Sequence, residues 1–439
     1  MGTLQKKIVS VIIVAGLLIL TAANVQNASV SDNGNENQET VVTENGQGEA
    51  GETAVGETGQ REAGAGETAV SEAGQKKAAA EQTGAENPLL ADKAYQQADT
   101  DLIFWYSDKS YDAFFSLAAE EYFKETGTKV LPMYEDAAEY MTEVYDRTMQ
   151  DDAYPDVYLI SGDNLEAAYL YGLAAVNEKA ESYAGAAEHA LEAAAYGDKL
   201  LGYPLNYNTC LFVYQNSYFE TAPVSMQEII DYSNENEPGE NVEYLVEWDV
   251  NDPFYDFPFV ANSVTFEKDE PQRMNVVYDE EMYQQDLEFF ETLLSSFSVN
   301  AETVSEEHIL ENFKEGRTLC AMLDTDSLYQ LEGYNYSVTQ IPDLNEELKS
   351  AVCAMTEMLV VNDFSEKTEQ AADFAEFATV ALADKLYETS GHYSVFLSEQ
   401  ADMVEQTAYE TYETAVLAPD SQDARDFWVG LKETIAKYF

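Results

Sequence analysis

Asp324-Thr325-Asp326 is the shortest stretch of this chain that could do chemistry unaided, because a D-x-D string holds a divalent metal beside a nucleotide-sugar in some glycosyltransferases. With 83 Asp and Glu residues in the chain, such triplets also arise from composition as solvated acids. No glycine-rich phosphate loop, H-E-x-x-H or G-x-S-x-G string occurs. A glycosidase pair of carboxylates needs no local signature, since its two acids can lie far apart in sequence. His189, His308 and His392 are well separated, which argues against a His-built metal centre. Cys210, Cys320 and Cys353 lack C-x-x-C spacing, which argues against structural zinc. Cys320 and Cys353 both lie near strands, so a disulfide is conceivable, but sequence cannot place two Cα atoms within bonding reach, and free buried thiols are expected. These strings give no ground to expect an enzyme, and no catalytic residue, metal or cofactor is expected.

The charge balance narrows what it binds. Twenty-two Lys and Arg against 83 acids give a net charge of −61 over 439 residues. That field repels nucleic-acid phosphates and anionic lipid head groups, so no nucleic-acid partner is expected. Hydrophobic residues at 45% and aromatics at 12% suffice for a large core, and the length of 439 residues suggests two or three domains.

Lys6 and Lys7 precede an apolar run from Ile8 to Leu20, followed by Thr21, Ala22 and Ala23. This is the order of a secretory signal, or of a short uncleaved anchor, over residues 1–23. Asn24 stands where a lipoprotein would carry its cysteine. Residues 24–97 are rich in Gly, Glu, Thr and Ala, and Gly51-Glu52-Thr53-Ala54-Val55 recurs at Gly66-Glu67-Thr68-Ala69-Val70. Such a segment cannot bury enough apolar surface to offset chain entropy, so a disordered tether is expected. The globular part should run from 98 to 439.

There, Leu102 to Tyr106 reads as a buried strand, Ala113 to Lys124 as a helix stopped by Gly127, and Lys129 to Leu131 as a second strand. A helix around Ala137 to Met149 leads into a strand at Val157 to Ile160. This alternation predicts an α/β domain with a largely parallel sheet. Leu200 to Pro204 and Leu211 to Tyr214 read as two strands parted by polar Asn206 to Thr209. Helices follow at 226–232, 280–294, 306–314 and 368–381, with strands at 318–323 and 358–361 and a last helix from about Ala424.

Several strings, taken in order, carry a resemblance. They are Leu102-Ile103-Phe104-Trp105-Tyr106-Ser107-Asp108-Lys109, Pro155-Asp156-Val157-Tyr158 with Gly172-Leu173, Tyr203-Pro204 with Tyr214, Phe313-Lys314-Glu315-Gly316-Arg317-Thr318, Tyr336-Ser337-Val338 with Ile341-Pro342, and Phe427-Trp428. This colinear set, spanning about residues 100 to 439, resembles the extracellular solute-binding proteins of bacterial ABC importers, maltose-binding-like (family 1) group. The resemblance implies two α/β lobes of the periplasmic-binding-protein type joined by a hinge, with ligand held in the interlobe cleft. Lobe 1 would hold about 99–206 and 356–402, and lobe 2 about 210–353 and 405–439. It also implies permease subunits of an importer as partners and a monomeric, exported protein.

By the same resemblance, eight residues would reach ligand. Asp108 and Lys109 follow the first strand and match a sugar-contacting Asp-Lys pair. Asp163 follows the third strand, where loops of open α/β sheets bind ligands. Asp252 and Phe254 sit in the loop Asp252-Pro253-Phe254-Tyr255, which matches an acid-and-aromatic loop. Trp428 matches a stacking Trp on the last helix, and Asn208 and Asp326 fall at a Glu and a second stacking Trp of maltose binders. Each has a plainer reading: Asp108 as a helix cap, Asp252 in a turn fixed by Pro253, Trp428 in the core. Acids suit hydroxyl donors, so a sugar or oligosaccharide is the expected ligand, with a cationic solute such as a polyamine, or an orphan surface module, as alternatives.

Overall fold

The computed structural model describes residues 95, 98–136, 140–150, 153–236, 239–269, 273–417 and 421–439. The expected signal segment and all of the expected tether except Tyr95 lie outside the described residues. Tyr95 is buried; its hydroxyl donates to the carbonyl of Val130 and its ring meets Phe123 edge-on. Among the described residues no helix is long and apolar enough to cross a membrane.

The chain opens with β1 (Leu102–Tyr106), α1 (Asp112–Thr126), β2 (Val130–Tyr134), α2 (Tyr140–Gln150) and β3 (Val157–Ser161). Phe104 and Phe115 meet edge-on at 4.5 Å, locking α1 onto β1. Gly127 ends α1 in the left-handed region at φ 77°, and its N–H donates to the Phe123 carbonyl. The parallel pairs β1–β2 and β1–β3 fit the predicted crossovers.

Short elements follow: α3 (Leu165–Leu170), α4 (Glu188–Ala193), β4 (Ala195–Tyr196) and β5 (Lys199–Leu200). Then comes β6 (Gly202–Gln215), a single 14-residue strand where two were expected. The polar stretch does not break it, because Asn206 to Thr209 pair in register with Glu357 to Ala354. Thr209 Oγ1 also donates to the Cys353 carbonyl, so its buried hydroxyl is satisfied.

The remainder runs through α5 (Met226–Glu235), β7 (Tyr244–Glu247), α6 (Pro253–Asp256), β8 (Val264–Asp269), β9 (Arg273–Tyr278), α7 (Glu280–Phe297), α8 (Glu306–Lys314), β10 (Thr318–Asp324) and β11 (Tyr336–Thr339). It closes with β12 (Cys353–Val361), α9 (Thr368–Glu376), α10 (Ala383–Ser390), α11 (Met403–Thr414), β13 (Val416–Leu417) and α12 (Gln422–Ile435). The strand expected at 358–361 is longer, and the helix expected to reach 381 turns into a π-helical stretch at Phe377–Ala381.

Strand order is β2-β1-β3-β12-β6-β10-β7. The expectation of a largely parallel sheet holds only at its ends. β12 is antiparallel to β3 and β6, and β6 is antiparallel to β10 and β11. The cause is topological: β12 returns from late in the chain and inserts beside β3, a placement local periodicity does not encode.

β6 runs through both lobes. Its first half pairs with β12, its second with β10 and β11. Two apolar cores flank the crossing. One gathers Phe104, Phe115, Leu159, Leu359 and Phe374. The other gathers Phe212, Trp248, Phe290, Phe313, Met322 and Leu431. All three cysteines are buried and free.

Candidate functional site

At the crossing, the middle of β6 and the ends of β3, β10 and β12 meet α6, α8 and α12 around a cavity of about 360 Å3. Its walls carry Asp163, Asn208, Asp249, Asp252, Phe254 and Tyr255, with Glu306, Asp324, Met355, Arg425 and Trp428 completing the polar and aromatic lining. Five of the eight residues singled out in the sequence thus come together: Asp163, Asn208, Asp252, Phe254 and Trp428.

Local structure explains each position. Asp252 caps α6, its Oδ1 accepting from the N–H of Phe254 at 2.9 Å, with Pro253 at the first turn. The cap and the cavity wall are therefore one feature, and Phe254 projects beside it, meeting Tyr255 edge-on at 5.3 Å. Asp163 sits in the one-turn Gly162–Asn164 helix after β3 and accepts from Asn164 Nδ2 at 2.9 Å. Trp428 is partly buried on α12: one side packs on Phe257 and Phe266, while the residue also lines the cavity.

Asn208 is held firmly. Its Nδ2 donates to Asp324 Oδ2 at 3.0 Å, and its Oδ1 accepts from the N–H of Thr325 at 3.2 Å and from Thr325 Oγ1 at 3.0 Å. The amide fixes Asp324 across the β6–β10 pairing. Asp324 shares the cavity wall with Glu306 of α8. Burial, and then the nearby Asp324 charge, push Glu306 up to about 8, with Asp326 and Asp249 adding to the rise. Burial beside like charges disfavours the ionised form of Glu306.

Three expected residues stand away from the cavity lining. Asp108 caps the short Lys109–Tyr111 helix by accepting from Ser110 N–H at 2.8 Å, its plainer reading. The Lys109 ammonium lies 4.7 Å from the centre of the Tyr134 ring. Asp326 pairs with His392, its Oδ1 2.8 Å from His392 Nδ1. The two acids of the D-x-D string therefore face different partners, Asp324 toward Asn208 and Asp326 toward His392. Among the described residues no three His, Cys, Asp or Glu side chains converge as a metal site would require.

His392 was not foreseen as a site residue. Its Nε2 lies 2.7 Å from Ser110 Oγ, and its ring stacks on Tyr111 at 4.3 Å. The Tyr111 hydroxyl donates to the Glu357 carboxylate on β12. Asp326, His392 and Ser110 thus have the connectivity of an Asp-His-Ser relay. The Ser110 N–H, one natural oxyanion donor, is already given to Asp108, and the chain of bonds acts as a tie from the end of β10 to the start of α1. Asp249, Glu306 and Arg425 also escaped the sequence reading. Only position carries them into the wall; no local motif marks an acid at a helix start among 83.

A model of the bacterial extracellular solute-binding proteins matches residues 118–414, more than half of the chain. No curated protein matches it. Among solved structures, an extracellular solute-binding protein from Staphylococcus aureus in complex with maltose superposes with a TM-score of 0.65 at 17% identity, covering 78% of this chain and 93% of that one. A cyclo/maltodextrin-binding protein complexed with maltotetraose gives 0.66 at 17%, covering 78% and 92%. A Thermus thermophilus maltotriose-binding protein bound with maltotriose gives 0.63 at 18%, covering 77% and 94%. At such identities the likeness is one of fold, the two-lobed α/β architecture with its interlobe cleft. With the family match across both lobes, the chain belongs to the bacterial extracellular solute-binding proteins.

Proposed function

We propose that this chain is the exported substrate-binding protein of an ABC importer, taking a sugar or short oligosaccharide into the cavity between its lobes. The observation that carries this reading is one cavity bounded by the Trp428 and Phe254 rings and by hydrogen-bonding side chains from both lobes. An aromatic face packs against the C–H face of a pyranose, and carboxylates accept from its hydroxyls. A volume of about 360 Å3 lies near the small end of ligand pockets, which suits a short ligand. In this reading Asp163, Asn208, Asp252, Phe254 and Trp428 contact or organise ligand, while Asp108, Lys109 and Asp326 act from the cleft edge. That the three similar folds carry maltose, maltotetraose and maltotriose supports the sugar class.

Binding would shift an open–closed equilibrium, and the closed form is what permease subunits would distinguish. The surplus of acids over the one Arg in the wall favours a second reading, a cationic solute such as a polyamine. Thermal unfolding against sugars, oligosaccharides and polyamines separates the two, since a ligand selective for the folded state raises the melting temperature by mass action. A rise with one sugar class supports the first reading. A rise with polyamines alone, fading as salt increases, replaces it with the second.

A further inference from the structure

We infer that His392 is a positioning residue for the cleft: by joining Asp326 at the end of β10 to Ser110 just before α1, it sets how far the two lobes stand apart. The inference goes beyond the proposed ligand class and rests on that reading only in taking the ligand to lie between the lobes.

The two ends of the tie belong to different cores. Asp326 leads into Leu328 and Leu331, which pack in the core of Phe212 and Trp248. Ser110 leads into Tyr111, Phe114 and Phe115, which pack in the core of Phe104 and Leu359. Between them His392 is buried, its Nδ1 2.8 Å from Asp326 Oδ1 and its Nε2 2.7 Å from Ser110 Oγ. The stack on Tyr111 holds the imidazole from its face as well. A second contact lies one residue earlier. Gly391 ends α10 at φ 87°, and a Cβ there would stand 2.7 Å from Cδ1 of Tyr329, so this backbone lies against a ring on the Asp326 side.

The tie acts on the cavity through β10. Asp326 follows Thr325, which is bonded to Asn208, and Asp324, which accepts from the same amide; Asn208 and Asp324 both line the cavity. On the other side β1, which leads to Ser110, pairs with β3, whose end carries Asp163 into the wall. Moving Asp326 away from Ser110 therefore parts Asp324 from Asp163. Protonation tunes the tie. An imidazolium donates from both nitrogens, to the Asp326 carboxylate and to Ser110 Oγ. The neutral ring keeps Nδ1–H on Asp326 and accepts from the Ser110 hydroxyl, so both bonds survive but the charge is lost. The groups facing the ring are Asp326 with Asp324 near it, Glu357 from β12, Asp108 after β1 and Tyr111 before α1. Burial opposes the charged ring, while Asp326, then Glu357 and Asp108, favour it and prevail.

The test is a pulsed spin-label distance measurement on the ligand-free full chain, labelled at Glu125→Cys on α1 and Gln285→Cys on α7, both exposed positions. The native cysteines are buried and stay unlabelled. At pH 6 the shorter component should dominate the native distance distribution. His392→Ala and Asp326→Asn should each lower the ratio of short to long components by about tenfold or more, the weight of one charge-assisted hydrogen bond. In the native chain the ratio should fall between pH 6 and pH 8.5. His392→Gln, which cannot titrate, should flatten that fall, and Glu357→Gln should keep it. Circular dichroism verifies the fold of each variant. Unchanged distances in both His392→Ala and Asp326→Asn would overturn the inference, as would a pH dependence that survives His392→Gln or disappears in Glu357→Gln. No ligand is added, so the outcome is independent of the carbohydrate reading, which thermal unfolding tests separately.

Discussion

His392 Nδ1 lies 2.8 Å from Asp326 Oδ1, so an imidazole stacked on Tyr111 at the start of α1 is tied to the end of β10. Through Ser110 on its other ring nitrogen, the residue links the end of β10 to the start of α1 outside the cavity lining. Burial works against charge on both partners, lowering His392 and raising Asp326. At His392 the Asp326 carboxylate outweighs burial, with Glu357 and Asp108 assisting, and its pKa sits above the ordinary 6.5.

A raised histidine stabilises the folded state most fully below its unfolded pKa, and that contribution fades as pH rises through the folded value. The stability gap between the native protein and His392→Gln should therefore be widest near pH 6, about 1.5–3 kcal/mol, and shrink toward pH 8.5. Thermal melts across that range check it. A gap that is flat, or that widens with pH, contradicts the tie.

Glu357 gives a second pH signature. Burial, opposed by the Tyr111 hydrogen bond, lifts it to about 7, so the fold binds its proton more tightly than the unfolded chain does. Its contribution is present below about 4.5 and is lost as pH rises through about 7. Glu357→Gln keeps an acceptor for Tyr111 and cannot ionise. It should match the native protein at pH 5 and exceed it in urea stability at pH 8; a variant less stable at both would refute this assignment.

How far the sequence reached is clearest at β6 and α8. The β1-α1-β2 unit was legible because apolar period, the Gly127 stop and short loops all agree. The unity of β6 was not, since Asn206 to Thr209 look like a loop until β12 arrives from far along the chain to pair with them. Likewise Asp252 and Trp428 could be matched through colinear strings, whereas Glu306 opens an ordinary capped helix and stands out only because the fold brings it into the cavity wall with Asp324. His392 gave no signal, because its partners lie 66 and 282 positions away.

Asn208 should tolerate little change. Asn208→Asp would set a further carboxyl against Asp324, which now accepts from its Nδ2, in a wall that already holds Glu306. The expected cost is about 1–3 kcal/mol at pH 8, and smaller at pH 5, where like-charge repulsion in the wall is weaker. Urea titration at both values reads it, and a cost independent of pH would point to lost strand pairing instead.

Trp428→Ala should separate binding from folding. The residue is partly buried on Phe257 and Phe266, so some stability is lost, but its cavity-facing surface should matter more to ligand. Affinity for the bound sugar is expected to fall about ten- to a hundredfold, with Trp428→Phe retaining most of it. Loss of stability with unchanged affinity would return Trp428 to a purely structural role.

The most direct measurement is hydrogen–deuterium exchange of the full chain with and without a saturating sugar chosen by thermal shift. The expected result is protection confined to the cavity walls of both lobes at once: around Asp163, the 249–256 segment, the start of α8, the end of β10 and the first turns of α12. Protection limited to one lobe, or located away from these segments, would contradict a ligand held in the cleft.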